Sequence, residues 1–279
     1  MQNRILIILL GVLISTPFCF SNKSDSLFID SLLQKSVKMN FQTQTERLMY
    51  FAESMIGTPY KGGTLDVGQD EALVVRTDSL DCTTYVEMVL ALYLSSKHHN
   101  PGYRCYSETL TNIRYRGGVI SGYASRLHYF SDWISENEQK GIVCELTVDN
   151  EHDLRNLSLN YMTEHPGLYR QLRNNDSLVN EIKCVEKKWK DYKMPYIPKK
   201  LLNMSQSDTI IKEGDILALT TSIPGLDVVH LGFAVWIDGK LYLLHASSNY
   251  GKVLLDSLPL YDYLKNKKKH TGVRVIRVK

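Results

Sequence analysis

Cys82, His230 and His245 are the three side chains whose types and order can perform nucleophilic chemistry. Cys82 stands in Ser79-Leu80-Asp81-Cys82-Thr83-Thr84-Tyr85-Val86-Glu87, where a loop enters an amphipathic helix, and each histidine opens a strand-like segment. The first turn of a helix, with its unpaired N–H groups and positive dipole end, favours a thiolate. One imidazole that takes the thiol proton, and a second group that holds that imidazole, complete the arrangement used for covalent amide hydrolysis. In this scheme Cys82 attacks a carbonyl, His230 is the base and His245 orients it. Backbone N–H groups at the start of the Cys82 helix, with the Tyr60 hydroxyl, then hold the oxyanion.

Singly, each residue reads as packing. A cysteine on an apolar stripe behaves as a small hydrophobe, His230 follows Val228-Val229, and His245 follows Leu243-Leu244. The joint order carries the reading: Asp81-Cys82 at a helix start, then an Asp-x-x-His-x-Gly strand, then a His-Ala strand.

The elements that must position these residues are legible in the apolar spacing. Asp81 or Ser79 can cap a helix in which Cys82, Tyr85, Val86, Val89, Leu90 and Tyr93 form an i, i+3, i+4, i+7 stripe, so this helix is central and Cys82 lies on its inward side. Leu48, Met49, Phe51, Ala52, Met55 and Ile56 mark an earlier helix that Gly57-Thr58-Pro59 stops, and Ala72 to Val75 reads as a short strand. The last third is β-rich: Glu213-Gly214-Asp215 turns into Ile216 to Leu219, and His230 to Ile237, Leu241 to Ala246 and Gly272 to Val278 follow. Asp238-Gly239 is a hairpin signal that pairs Ile237 with Lys240 and makes the two histidine strands antiparallel neighbours. On that count the imidazoles are expected on opposite faces, with a bulge or a longer turn needed to bring them together.

Between these parts, about residues 97–204 alternate aromatic and charged residues, with helical stretches such as Leu154 to Leu172 and no strong run of strands. The expectation is a largely helical insertion. It carries Tyr123 to Trp133, dense in side chains that can hold something polar.

The opening residues read as an export leader over 1–21. Arg4 precedes a charge-free apolar run from Ile5 to Ile14, far shorter than the roughly 20 residues of a membrane span, and Pro17 ends it before small residues suited to a cut after Ser21. Lipidation at Cys19 is the less favoured reading, because Pro17 and the bulky Phe18 precede it. The expected mature chain, 22–279, is a single domain in an exported, periplasmic setting, with no stable membrane insertion. It keeps Cys82, Cys105, Cys144 and Cys184, among which at most one disulfide forms if Cys82 stays free. The formal charge of +3 is close to balanced, and Lys267-Lys268-Lys269 reads as a solvated face, so no nucleic acid is implied. No cofactor or metal is expected: His98, His99 and His152 lack an i, i+4 or H-E-x-x-H arrangement.

Four landmarks in order, Gly57-Thr58-Pro59-Tyr60, Asp81-Cys82-Thr83-Thr84, His230-Leu231-Gly232-Phe233-Ala234 and Leu244-His245-Ala246-Ser247, resemble the NlpC-type papain-like cell-wall hydrolases. Gly63-Thr64-Leu65, Ser125-Arg126-Leu127-His128-Tyr129 with Asp132-Trp133, and Gly225-Leu226-Asp227-Val228-Val229-His230 resemble one subgroup. It was first catalogued as a domain of unknown function, then associated with N-acetylmuramoyl-L-alanine amidase activity. The resemblance implies an α+β, papain-like core in which a central helix bearing the cysteine packs on an antiparallel sheet. It also implies a Cys-His-His triad and peptidoglycan fragments, muropeptides, as substrate. Thr83 in place of a serine after the cysteine, and the long insertion, depart from the usual NlpC pattern. Tyr60, Asp81, Thr83, Arg126, His128, Tyr129 and Asp227 are the expected oxyanion or substrate-binding residues. Arg126 can grip a stem-peptide carboxylate in bidentate fashion, or else form an internal ion pair with Asp132. The expected activity is hydrolysis of the muramoyl to L-Ala amide; cleavage of the γ-D-Glu to diamino-acid bond and non-catalytic muropeptide binding are the alternatives.

Overall fold

The computed structural model describes residues 19–147 and 153–279. Helices α1 (Lys23–Val37) and α2 (Gln44–Ser54) follow a short strand β1 (Cys19–Phe20), and a second, β2 (Leu73–Val74), precedes α3 (Cys82–Ser95). Next come α4 (Tyr103–Arg114), α5 (Phe130–Gln139), β3 (Val143–Leu146), β4 (Asp153–Leu157), α6 (Tyr161–Glu164), α7 (Asp176–Lys187) and β5 (Tyr192–Pro198). The chain closes with β6 (Ile216–Thr221), β7 (Val228–Ile237), β8 (Lys240–Ser247), β9 (Lys252–Leu255), α8 (Leu260–Lys265) and β10 (His270–Val278).

The main sheet has eight strands in the order β4-β5-β10-β6-β7-β8-β9, with β3 also paired to β10, and all of its pairings are antiparallel. The mixed α/β architecture with an antiparallel sheet agrees with the α+β expectation. Helix α3 is apolar on nearly every side, which places it inside the protein rather than on its surface. It packs against β7 and β8 on one side and against α2 and α4 on others, with Tyr85 meeting Phe233 edge to face at 5.6 Å. Glu87, on the same helix, is buried and takes the Arg114 guanidinium at 2.7 Å, so no charge is left unpaired there.

Residues 97–204 hold helices α4 to α7 together with three strands. Val143–Leu146, Asp153–Leu157 and Tyr192–Pro198 are strands, and all three join the main sheet. Leu154 to Leu172 is not a helix: it holds β4, the four-residue α6 and a single 3-10 turn. Leu157, Leu159, Met162 and Leu172 fill one small core with Tyr129 and Ile182, and an apolar pattern over a short run does not separate helix from strand.

The leader reading falls mainly on residues 1–18, outside the described residues. Cys19–Phe20, at its end, pairs in parallel with Leu73–Val74. The Val75 N–H donates to Phe20 O at 3.0 Å, and the Tyr103 hydroxyl to Ser21 Oγ at 2.6 Å. A cut after Ser21 would remove these contacts. Among the described residues no helix is long and apolar enough to cross a membrane.

Candidate active site

Helix α3 starts at Cys82 because Asp81 caps it. The Asp81 carboxylate accepts from the Thr84 N–H at 2.8 Å, and Thr84 Oγ1 accepts from the Asp81 N–H at 2.9 Å, a reciprocal box that fixes the first turn. The segment before it is held by Tyr60, whose neighbours bond on both sides: Leu80 N–H donates to Pro59 O at 2.9 Å and Lys61 N–H to Leu80 O at 3.0 Å. The Tyr60 N–H donates in turn to Gly251 O at 2.8 Å. Residues 57–60 therefore tie the start of α3 to the region around β9.

The thiol of Cys82 is half-buried. Its burial, then the Asp81 charge, push it up to about 12, outweighing the Leu231 backbone N–H and the Thr83 hydroxyl that favour the thiolate. The helix-start position alone predicts the opposite direction; desolvation wins because it acts on the whole charged form. The Tyr60 hydroxyl is raised by its burial and then by Cys82, which places it in the same neighbourhood.

The histidines come together. His230 Nε2 lies 2.5 Å from His245 Nδ1, and the rings stand at 88° with centroids 4.8 Å apart. The hairpin turns at Asp238 (φ 49°) and Gly239 (φ 73°), both left-handed as a tight primed turn requires, and Ile237 pairs with Lys240. This register runs unbroken to Phe233 opposite Leu244. The expectation of opposite faces is thereby corrected. Paired residues in a hairpin share a face, and a step of two along one strand keeps that face, so His230 is the diagonal neighbour of His245 without any bulge between their strands. Gly232 assists: a Cβ there would lie 2.8 Å from Leu244 O, so only glycine allows so close an approach.

A residue without any sequence cue completes the group. Asp256 Oδ2 is 3.3 Å from His245 Nε2, with both side chains buried. Asp256 directly follows β9, and no motif or spacing marks it; only the strand pairing of His245 with Leu254 brings it near. Burial, reinforced by His245, holds His230 down at about 3. Burial also lowers His245, against the pull of Asp256. Both rings are neutral at pH 7.

The remaining expected binding residues are committed to internal partners. Arg126 is buried and pairs with Asp66 at 2.6 Å and Glu71 at 3.3 Å, whereas Asp132 pairs with Arg116 at 2.5 Å. His128 Nε2 donates to Tyr123 O at 2.8 Å. The Tyr129 hydroxyl donates to Glu186 at 2.7 Å and accepts from the Met162 N–H. Asp227 is buried and accepts from the Ser131 and Val228 N–H groups, clamping the start of α5 to that of β7. Arg126, His128, Tyr129 and Asp227 would each have to give up internal bonds to reach a ligand. Asp81 is a helix cap, while Tyr60 and Thr83 do face Cys82. His98 and His99 are exposed, His152 lies outside the described residues, and among the described residues no group of three or more His, Cys, Asp and Glu could hold a metal ion. All five cysteines are free thiols.

Residues 50–273 match the AmiA-like family, described as N-acetylmuramoyl-L-alanine amidase-like. A crystal structure of an N-acetylmuramoyl-L-alanine amidase from Bacteroides uniformis is 39% identical and superposes with a TM-score of 0.79, covering 85% of this chain and 99% of that one. A Bacteroides fragilis protein provisionally named a xylanase is 41% identical (TM-score 0.76; 82% and 99% covered). A Legionella pneumophila protein of family DUF1460 shares the fold at 24% identity (TM-score 0.69; 92% and 95% covered). No curated protein gives a significant match.

Proposed function

The chain belongs to the AmiA-like family, and from that premise we propose that it is an exported cysteine amidase with an NlpC-type, papain-like core. It hydrolyses the N-acetylmuramoyl to L-Ala amide of peptidoglycan-derived muropeptides in cell-wall turnover. The observation that carries the chemistry is the contact of His230 with His245, backed by Asp256, beside the Cys82 helix.

That chain of contacts favours one placement of the protons. The Asp256 carboxylate accepts, so His245 carries its proton on Nε2 and offers a bare Nδ1. His230 then donates from Nε2, which leaves His230 Nδ1 as the free base. Because the thiol sits high and both imidazoles are neutral, the resting pair is uncharged, and proton transfer accompanies attack. The Cys82 sulfur adds to the lactyl carbonyl of the muramic acid as His230 takes the thiol proton. Collapse breaks the C–N bond, and His230 gives that proton to the departing alanine nitrogen, leaving a thioester. Water, deprotonated by His230, then attacks the thioester, and the returned proton restores the thiol. The first N–H groups of α3 and the Tyr60 hydroxyl stabilise the oxyanion in both steps.

Glycoside cleavage, which the name of the Bacteroides fragilis neighbour suggests, needs two carboxyl groups flanking the scissile bond. Here Asp81 is bonded into a helix cap and Asp256 is buried against His245, so neither is placed for that role. The test is mass spectrometry of the products from a defined disaccharide-peptide. Intact stem peptide with a free alanine N-terminus supports the amidase. Fragments cut inside the stem indicate an endopeptidase instead, and split glycan overturns the thiol mechanism.

A further inference from the structure

Lys267 stands apart from the rest of the Lys267-Lys268-Lys269 run. Its Nζ sits 4.3 Å from the centre of the Tyr263 ring, and that ring packs edge to face on His245 at 5.7 Å. The lysine is half-buried, whereas Lys268 and Lys269 are exposed. Its backbone is pinned: its N–H donates to Leu264 O, and its carbonyl accepts from the His270 N–H at 3.1 Å and from Lys199 Nζ at 3.2 Å. Among the described residues no carboxylate forms an ion pair with it, while its charge acts on both His230 and His245. Tyr263 in turn lies near Asp256, which is paired with His245, and near Cys82 and Tyr250.

A cation held on an aromatic face beside a catalytic group, with no acid of its own, is placed to receive a negative charge from a ligand. Lys199 and His270 lie beside it and bring no negative charge. We propose that Lys267 selects substrates by binding the free α-carboxylate of the stem's second residue, D-Glu, close to the amide that Cys82 attacks. The identity of that carboxylate rests on the muropeptide reading above. Lys267 is a specificity residue in this account: it touches the substrate away from the bond that breaks.

Calorimetry on the full-length Cys82→Ala protein tests this, using two probes: a disaccharide carrying L-Ala-D-Glu with a free α-carboxylate, and the same compound with a carboxamide there. The carboxylate form is expected to bind about tenfold tighter, in line with a charge-assisted hydrogen bond. Adding Lys267→Gln abolishes this preference, Lys267→Arg restores it, and Lys268→Gln keeps it. Equal affinity for the two probes, an unchanged preference in Lys267→Gln, or no binding of either probe overturns the proposal. Products of the wild-type protein on the same probes report separately on the amidase reading, since a wrong bond assignment changes the products but not the affinity ratio.

Discussion

Asp256 Oδ2 and His245 Nε2 face each other at 3.3 Å in the protein interior, and among the described residues neither atom has another polar partner. Each therefore depends on the other for satisfaction, and the pair closes a line that runs outward through His230. Burial drives His245 toward neutrality, and Asp256 opposes that drive. In the proposed mechanism, the positive charge that His230 gains is shared along this line toward the carboxylate, which would lower the energy of the charged intermediate.

Asp256→Asn is accordingly expected to lower kcat at least about tenfold while KM stays within about twofold, the pattern of a lost transition-state interaction. Without the carboxylate the imidazoles hold a proton less well, so the acid limb of the kcat profile moves to lower pH. Asp256→Glu recovers part of kcat. A lower melting temperature with an unshifted pH profile would reduce Asp256 to a packing role.

The thiol provides a pH test with a definite sign. Cys82 is pushed up to about 12 and His230 down to about 3, so across the range between them the thiol keeps its proton and the imidazole stays neutral. Alkylation of Cys82 by iodoacetamide should rise about tenfold per pH unit from pH 6 to 9, tracking the thiolate fraction, with no plateau. A rate that is flat between pH 5 and 8 would mean a preformed thiolate–imidazolium pair, contrary to this account.

Arg126 separates structural from binding roles in the insertion. Its removal takes the cation from the buried Glu71 carboxylate and from the half-buried Asp66, and Arg126→Met should cost about 3 kcal/mol of stability by denaturant unfolding. KM of the folded enzyme stays within about twofold. A KM rise above tenfold at unchanged stability would return Arg126 to the substrate.

How much was legible follows from the range of each interaction. The α3 helix, its cap at Asp81 and the Asp238-Gly239 turn are local, and their residues announce them. The strands of the insertion were missed because Asp153–Leu157 is a short sheet-edge segment, and Tyr192–Pro198 carries Pro195 and Pro198, residues that usually speak against a strand. Asp256 and Lys267 were missed for a different reason. The contacts of Asp256 with His245 and of Lys267 with Tyr263 arise only where β8 meets β9 and where α8 leads into β10, juxtapositions that no spacing in the chain encodes. An ion pair between Arg126 and Asp132 is one of the two sequence readings, but each has another partner, because sequence does not specify which opposite charge the fold delivers.

The most direct test is the turnover of a defined muropeptide by the wild-type protein and by Cys82→Ala under identical conditions. The account predicts release of the intact stem peptide by the wild type and a loss of at least about 10³-fold in kcat for the variant, as expected when a nucleophile is removed. Equal turnover by the two proteins would contradict it.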